Sequence, residues 1–534
     1  MSDTTTSSCP VPRPLREVRL RQALERFGLA QEADGDDVFA ALLAMKVAMI
    51  GNMNNNFFAI SRYFADAGID VTLLSYPFET AHFRPECDSY REDHGVAIQT
   101  LPWSHVMAAD PDWLYSHVSR FGYLFGCGLT PAFMTRIGLD LDVMFPYGSD
   151  LYEYPFLWAD TEDYEKHKDP SRYFFGKWQA EGYSWCRTIW TYDKFVPVDV
   201  GRLTDRPAFV EMSPPIVHRP SFEGEALDEA MAKSPHAAAF RRIRESHELV
   251  VFHHTRHLWV GKTQFDEVKG NDKLIRGFAA FTQRHPAVTA CLVMFEYGPD
   301  FEASKALVAD LGLAEKVVWF PKMYRRDLLL GITLSDVVAG YFDLEFRYGG
   351  VVNEALSMGK PLLHSMGDYT EVTKPRDTFD YIQANTAEAV AEALTDYIRR
   401  PEHYAEIGRS GRRWYCERME DRTLAWCLGA FVERAREQLR EPRRHERQTR
   451  QLGLKAADLQ TDLDSARAEI GQFRRLARTL FGDENLKDCP SDLAWYMRAG
   501  IMLRRLLGDK PLDAIPPEVV AMIRRHLDGG EPHG

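Results

Sequence analysis

The chain has 534 residues, 45% of them hydrophobic and 27% charged, with a formal net charge of −13. This is an ordinary globular balance, long enough for several domains of ~100–200 residues, and its acidity disfavours non-specific nucleic-acid binding. No run approaches the roughly 18 consecutive apolar residues of a membrane span. The eight cysteines stand singly, without a C-x-x-C pair, which argues against a zinc ribbon or a disulfide framework.

Residues 1–14 (MSDTTTSSCPVPRP) are polar and proline-containing, lack the apolar segment of a secretory signal, and read as a disordered tail. A helical, amphipathic lead-in follows from residue 15 to about residue 45. In KVAMIGNMNNNFFAISRYFADAGIDVTLLSYP, the pattern predicts a strand at Val47–Ile50, a Gly/Asn loop, a helix from Phe57 to Ala67 and a strand at Val71–Leu74. That is a βαβ unit with a parallel sheet, and ligands of such sheets sit outside the carboxyl ends of the strands. Gly51 and Asn52 lie at such an end. A less regular aromatic region includes DWLYSHVSRFGYLFGCG, and further strand-like runs are LDVMFPYGSD, SWCRTIWTYD and PAFVEMSPPIV.

The alternation restarts at Glu248 and runs strand, helix, strand, helix to the segment TAEAVAEALTDYIRR. We therefore expect an α/β fold with two Rossmann-like doubly wound domains facing a cleft: residues 15–235 with the helical lead-in, and residues 236–440. Residues 441–482 read as a long helix. Within it Leu452, Ala456, Leu459, Leu463, Ala466, Ile470, Phe473, Ala477 and Leu480 form a heptad seam. That seam serves a coiled-coil homo-oligomer or packing back onto the chain's own domains. Residues 483–534 read as a small helical tail, completing an all-α C-terminal extension.

The richest stretch is LEFRYGGVVNEALSMGKPLL, residues 344–363. A Gly349-Gly350 turn enters a helix near Val351, and exposed N–H groups at a helix start bind phosphate oxygens. Glu354, one turn in, suits a ribose diol better than a phosphate. Arg256 follows the first strand of the second domain, and Lys269 precedes a helix. Both are of the type that neutralises a departing diphosphate.

In order along the chain, KGNDKLIRGF, FEYGPD, LGLAEKVVWFPKM, LLLGITLSDVV and EFRYGGVVNEALSMGKPLL resemble the donor-binding half of the GT-B glycosyltransferases, specifically the family-four retaining enzymes. The resemblance covers Leu249 to Val372 well and the first domain loosely. It implies a nucleotide-sugar-dependent transferase acting with retention, without metal and without a cofactor beyond the donor substrate. Carried over, Arg256 and Lys269 (with Lys262 as a rival) face the diphosphate, together with the amides of Gly349, Gly350 and Val351. Gly298 and Pro299 match the turn beside the base, Met323 and Tyr324 the base position, and Glu354 the ribose glutamate. Glu345 is the candidate sugar-contacting carboxylate. It is separated from Glu354 by one residue more than the family pattern, which would place that glutamate at Phe346. In FPYGSDL, Tyr147 stands where relatives have histidine, and Tyr147 and Asp150 are the sugar or acceptor candidates.

Other readings are weaker. Asp140 and Asp142 form an Asp-x-Asp that precedes its strand, and His253, His254 and His257 lack the partners of a zinc site. GNMNNN lacks the later glycines of a dinucleotide fingerprint. A sugar-nucleotide epimerase of the same layout and a decayed transferase scaffold remain as alternatives. Trp103, Trp113, Tyr115 and Tyr123 serve either a glycan or the core. The expected partners are a nucleotide-sugar and a glycan, lipid-linked or protein acceptor. The expected location is cytoplasmic, with peripheral contact at the inner face of a membrane as the second option.

Overall fold

The structure, a computed structural model, describes residues 11–440 apart from 34, 78, 92–93, 103–108, 157–169, 192–195, 205–208, 212, 262–267, 344–348 and 367–378. Glu345, Phe346, Lys262, Trp103 and the heptad seam of 452–480 lie outside the described residues, as does the helical tail.

The first sheet contains β1 (Lys46–Ile50), β2 (Asp70–Ser75), β3 (Ala97–Thr100), β4 (Tyr123–Cys127), β5 (Val143–Phe145), β6 (Thr188–Thr191) and β7 (Phe209–Glu211), in the order β3-β2-β1-β4-β5-β6-β7. β1 and β2 pair in parallel with Lys46 opposite Asp70. The second sheet contains β8 (Leu249–Phe252), β9 (Ala290–Glu296), β10 (Val317–Pro321), β11 (Val337–Ala339), β12 (Leu362–His364) and β13 (Ile382–Gln383), in the order β10-β9-β8-β11-β12-β13. Its pairings are parallel throughout. Each sheet winds outward from its first strand in one direction, then reverses beside that strand. This is the doubly wound pattern, and its ligand crevice lies where the order reverses. In the second sheet that point is between β8 and β11.

The apolar strands form because both faces are covered by helices. In the second sheet, Val250, Phe252, Cys291, Val293 and Val338 join one core cluster. Their alternating neighbours Leu249, Val251, Leu292, Met294 and Val337 join the other. The helices Asn271–Arg284, Arg325–Thr333, Gly350–Ser357 and Ala387–Arg399 fall where the spacing predicts them. The lead-in forms two helices, Arg13–Arg26 and Asp36–Ala44. Arg13 and Pro14 are helical rather than part of the expected tail, since proline is tolerated in a first turn. Among the described residues, no helix is long and apolar enough to cross a membrane.

The chain divides into two compact units. One unit holds the described residues up to Pro102, Phe121–Phe125 and Glu211–Leu439. The reason is physical. Residues 401–440 are helical throughout, with a π-turn at Cys416–Asp421. Phe431 of the last segment is fully buried, with its ring 4.8 Å from Tyr123, 5.2 Å from Phe64 and 6.1 Å from Phe125. The other unit holds Gly126–Val210 and the described part of 103–120. In it β5 and β6 pair in parallel. The helices Thr130–Ile137 and Pro170–Ser184 meet at Gly182, where a Cβ would fall 2.3 Å from the Pro131 carbonyl oxygen.

Truncating Phe431 to alanine removes the ring that three aromatics enclose. The expected cost is about 3–5 kcal/mol, measured as a shift of the denaturant midpoint. A loss below about 1 kcal/mol, the size of an ordinary substitution, would show that this helix is not a structural part of the unit.

Candidate functional site

At the crevice between β8 and β11, the residues after β8 meet the helix that follows β11. His254 Nε2 lies 2.6 Å from Glu354 Oε2, and both side chains are almost fully buried. On the other oxygen, Arg325 Nε donates to Glu354 Oε1 at 2.9 Å. Arg325 opens the helix that follows β10, and its Nη1 reaches the Asn54 carbonyl at 2.7 Å, the Ile216 carbonyl at 3.1 Å and Asp88 Oδ1 at 3.2 Å. Asp88 in turn pairs with the buried Arg62. Burial pushes the Glu354 carboxyl up, but the hydrogen bonds and charges of His254 and Arg325 outweigh it and hold the group below the usual carboxylate range. Burial lowers the Arg325 guanidinium, and Glu354 and Asp88 more than offset that, leaving it above its ordinary value.

The same helix starts at Gly350, with Gly349 as its N-cap. The two glycines do different work. A Cβ on Gly349 would fall 2.4 Å from the Tyr341 hydroxyl, so this glycine lets the backbone pack on Tyr341. Gly350 is exposed, and a Cβ there would meet nothing nearer than Ile216 Cδ1 at 4.0 Å. The amides of Gly350 and Val351 belong to the first turn, where no carbonyl of the helix itself can accept them.

Lys269 is buried, with Nζ 4.4 Å from the centre of the Tyr341 ring, so it shares that ring with Gly349. The Arg256 guanidinium is exposed and makes no ion pair among the described residues. Gly298 adopts φ +116°, and a Cβ there would lie 2.4 Å from the His257 amide nitrogen, so only glycine fits this turn. Pro299 is exposed beside it. Met323 is half-buried against the core, and Tyr324 is 37% exposed at the end of β10. Lys322 lies over the Tyr297 ring at 4.8 Å.

Two expectations meet a different arrangement. Gly51 and Asn52 do not present free groups to a ligand. The Gly51 amide donates to the Leu74 carbonyl at 2.8 Å, and the Asn52 amide donates to Glu79 Oε1. Asn52 is fully buried. Its Nδ2 donates to Asn55 Oδ1 at 2.8 Å and the Phe83 carbonyl at 2.6 Å, and its Oδ1 accepts from the Phe58 amide at 3.0 Å. The loop is pinned internally because its buried polar groups must be satisfied.

Asp150 is likewise fully buried. Its Oδ1 accepts from the amides of Tyr147 at 3.0 Å and Gly148 at 2.8 Å, closing the turn after β5, while its Oδ2 has no hydrogen-bond partner among the described residues. Tyr147 is half-buried, with its hydroxyl 2.9 Å from where a Gly128 Cβ would stand.

The three histidines have separate partners. His253 bonds the Ala339 carbonyl and Asn271, while His257 bonds Ser304 and the Phe295 carbonyl. His254, Arg325 and Asp88 are the residues that sequence reasoning did not assign. The available signal was position, since His254 and Arg325 each follow the carboxyl end of a strand in the second sheet.

Two doubly wound sheets, the second carrying a helix start and a buried carboxylate at its switch point, are the architecture of the GT-B glycosyltransferases. Residues 250–414 match the family described as glycosyl transferases group 1. The chain is 27% identical over 177 residues to a GDP-mannose-dependent alpha-(1-6)-phosphatidylinositol monomannoside mannosyltransferase of Mycolicibacterium smegmatis. That match covers 32% of this chain and 46% of the relative, so the chain spans about half the length of the curated relative it matches. Among solved structures, it is similar to Anabaena HepE in complex with UDP, at 14% identity and a TM-score of 0.46 over 73% of this chain and 100% of that one. It is also similar to the sucrose-phosphate synthase of Thermosynechococcus elongatus, at 14% identity and a TM-score of 0.43 over 73% of this chain and 98% of that one.

Burial pushes the Asp150 carboxyl up to about 7, against the lowering effect of the Tyr147 and Gly148 amides. A raised acid favours the fold while protonated and penalises it once ionised. The penalty is absent below the unfolded value of about 4 and is complete above about 7. Asp150→Asn should therefore gain stability relative to the parent as pH rises across that window, read from paired melting curves at the two ends. A difference that stays flat or shrinks would overturn the burial account.

Proposed function

We propose that the protein is a glycosyltransferase that moves a sugar from a nucleotide-sugar donor to a glycan, lipid-linked or protein acceptor, with retention of configuration and without a metal. The carrying observation is the crevice between β8 and β11. There Glu354 is held ionised between His254 and Arg325, one turn inside the helix that starts at the open Gly350. The group 1 match over residues 250–414 supports the same reading.

In this reading the donor's diphosphate sits on the Gly350 and Val351 amides, and the helix dipole adds positive potential there. Arg256 supplies an exposed guanidinium and Lys269 a buried ammonium. Together they stabilise the charge that develops as the sugar–phosphate bond breaks. Glu354 accepts the ribose hydroxyls. The base lies near Met323 and Tyr324, beside the Gly298-Pro299 turn. Glu345 contacts the sugar. The acceptor hydroxyl attacks on the face from which the nucleotide leaves, and the cations together with the helix start do the work that a metal does in other transferases. The mannosyltransferase relative uses GDP-mannose by its name, which makes that donor the first to try.

A ligand at 100 times its Kd stabilises a fold by about 2.7 kcal/mol. One of UDP-, GDP-, ADP- or CMP-sugar should raise the melting temperature, and Glu354→Ala should abolish the rise. Arg256→Ala should lower kcat about 10²- to 10³-fold with the fold intact. If no nucleotide moves the melting curve, the donor-site assignment fails.

A further inference from the structure

The loop Gly51–Asn55 is built for something other than the ligand its composition advertises. Asn54 and Asn55 are consecutive left-handed residues, at φ 52° and 60°. This conformation is costly for a side-chain-bearing residue, although asparagine tolerates it best. The loop is held there from inside, through Asn52 to Asn55 and from Asn55 Nδ2 to the His82 carbonyl at 2.9 Å. The result aims the Asn54 carbonyl at Arg325.

Arg325 is thus fixed by acceptors from four separate segments, at Asn54, Asp88, Ile216 and Glu354. Signs alternate along the buried row Glu354, Arg325, Asp88 and Arg62. A carboxylate has about four lone-pair sites. His254 occupies one on Oε2 and Arg325 one on Oε1. That leaves one on each oxygen, the pattern a vicinal diol needs for two hydrogen bonds.

We propose that Arg325 is a positioning residue: it orients Glu354 and keeps it acceptor-only, so that both oxygens receive the donor's ribose diol, and it keys that geometry to the Asn54 turn and Asp88. The inference rests on the reading of Glu354 as the ribose contact. The charged and titratable side chains bonded to Glu354 among the described residues are His254 from the end of β8 and Arg325 from the helix after β10. Asp88 and Arg62 lie beyond Arg325. The helix Pro401–Tyr415, which packs on Leu356 through Gly411, sends its Arg412 to Glu223. Without Arg325, burial is opposed by His254 alone, and Glu354 takes up a proton at higher pH. A protonated acid has lost an acceptor site, so diol binding weakens as pH falls and recovers as pH rises. Lysine, a point charge without a fork, cannot hold four acceptors at once.

The test is calorimetric binding of GDP and UDP, each beside its 2′,3′-dideoxy form, from pH 5.5 to 8.5. The proteins are the full chain and its Glu354→Gln, Arg325→Gln, Arg325→Lys and Asp88→Asn variants. The parent should prefer the diol form of its nucleotide by about 10- to 100-fold, as expected for hydrogen bonds to a charged group, with little pH dependence. Arg325→Gln should lose most of that preference at low pH and regain part of it at high pH. Arg325→Lys and Asp88→Asn should lose less, in the same direction, and they carry the test if Arg325→Gln does not fold. If the parent does not discriminate the diol, or Glu354→Gln discriminates as well as the parent, the ribose reading of Glu354 fails. If Glu354→Gln loses discrimination while every folded Arg325 and Asp88 variant matches the parent at all pH values, Arg325 is structural only and the proposal is overturned.

Discussion

The structure turns on a carboxylate in a dry place. Glu354 is 6% exposed, and an ion taken out of water costs several kcal/mol unless its surroundings replace the lost hydration. His254 and Arg325 provide that replacement, but Arg325 is itself buried and needs Asp88, and Asp88 needs Arg62. Each charge is tolerable only with its neighbour present. The row therefore fixes, in one stroke, the end of β8, the helices after β10 and β11, the turn after β1, and the segment around Asp88. It adds to the apolar packing of the 401–440 helices in joining residues up to Pro102 with Glu211–Leu439 as one compact unit.

Glycines mark where backbone has to come close to something, and here that something differs each time. At Gly298 it is the His257 backbone, at Gly349 the Tyr341 ring, and at Gly350 open space. The sequence shows three similar glycines, while the packing separates one that faces solvent from two that are internal necessities. The rim follows the same division. Lys269 is spent partly on an aromatic ring, whereas Arg256 projects without an ion-pair partner among the described residues.

Alternating apolar runs made most of the fold legible, because a strand covered on both faces needs an unbroken apolar run and a following helix needs three-and-four spacing. β4 escaped notice. Its run YLFGC is short, flanked by Gly122 and Gly128, and lies inside an aromatic stretch with no clear period. At the site, backbone features were readable and side-chain partners were not. The helix start at Gly349-Gly350 is local. The partner of Arg325 at Asp88 is 237 residues away, beyond any periodicity argument. Asn52 and Asp150 are ambiguous for a related reason. A polar residue at a strand's carboxyl end looks the same in sequence whether it binds a ligand or satisfies its own loop, and here the loop takes the Asn52 amide group and one oxygen of Asp150.

A carboxylate one helical turn from the proposed diphosphate site is at first sight self-defeating. Four residues of helix span about 6 Å, close enough for repulsion to matter in a crevice of low dielectric. The pairing removes the objection. Glu354 and Arg325 together carry no net charge, and Asp88 and Arg62 beyond them also cancel. Among the described residues, Arg256 makes no ion pair, and the amides of the helix start have no acceptor within their own helix. The local charge distribution therefore favours an anion at Gly350 and a neutral hydrogen-bond donor at Glu354. A nucleoside diphosphate has that order along its own length, with the phosphates at one end of the ribose and the diol on its far edge. The same arrangement would serve a free inorganic phosphate poorly, because such an ion offers nothing to satisfy the two acceptor sites that Glu354 keeps open.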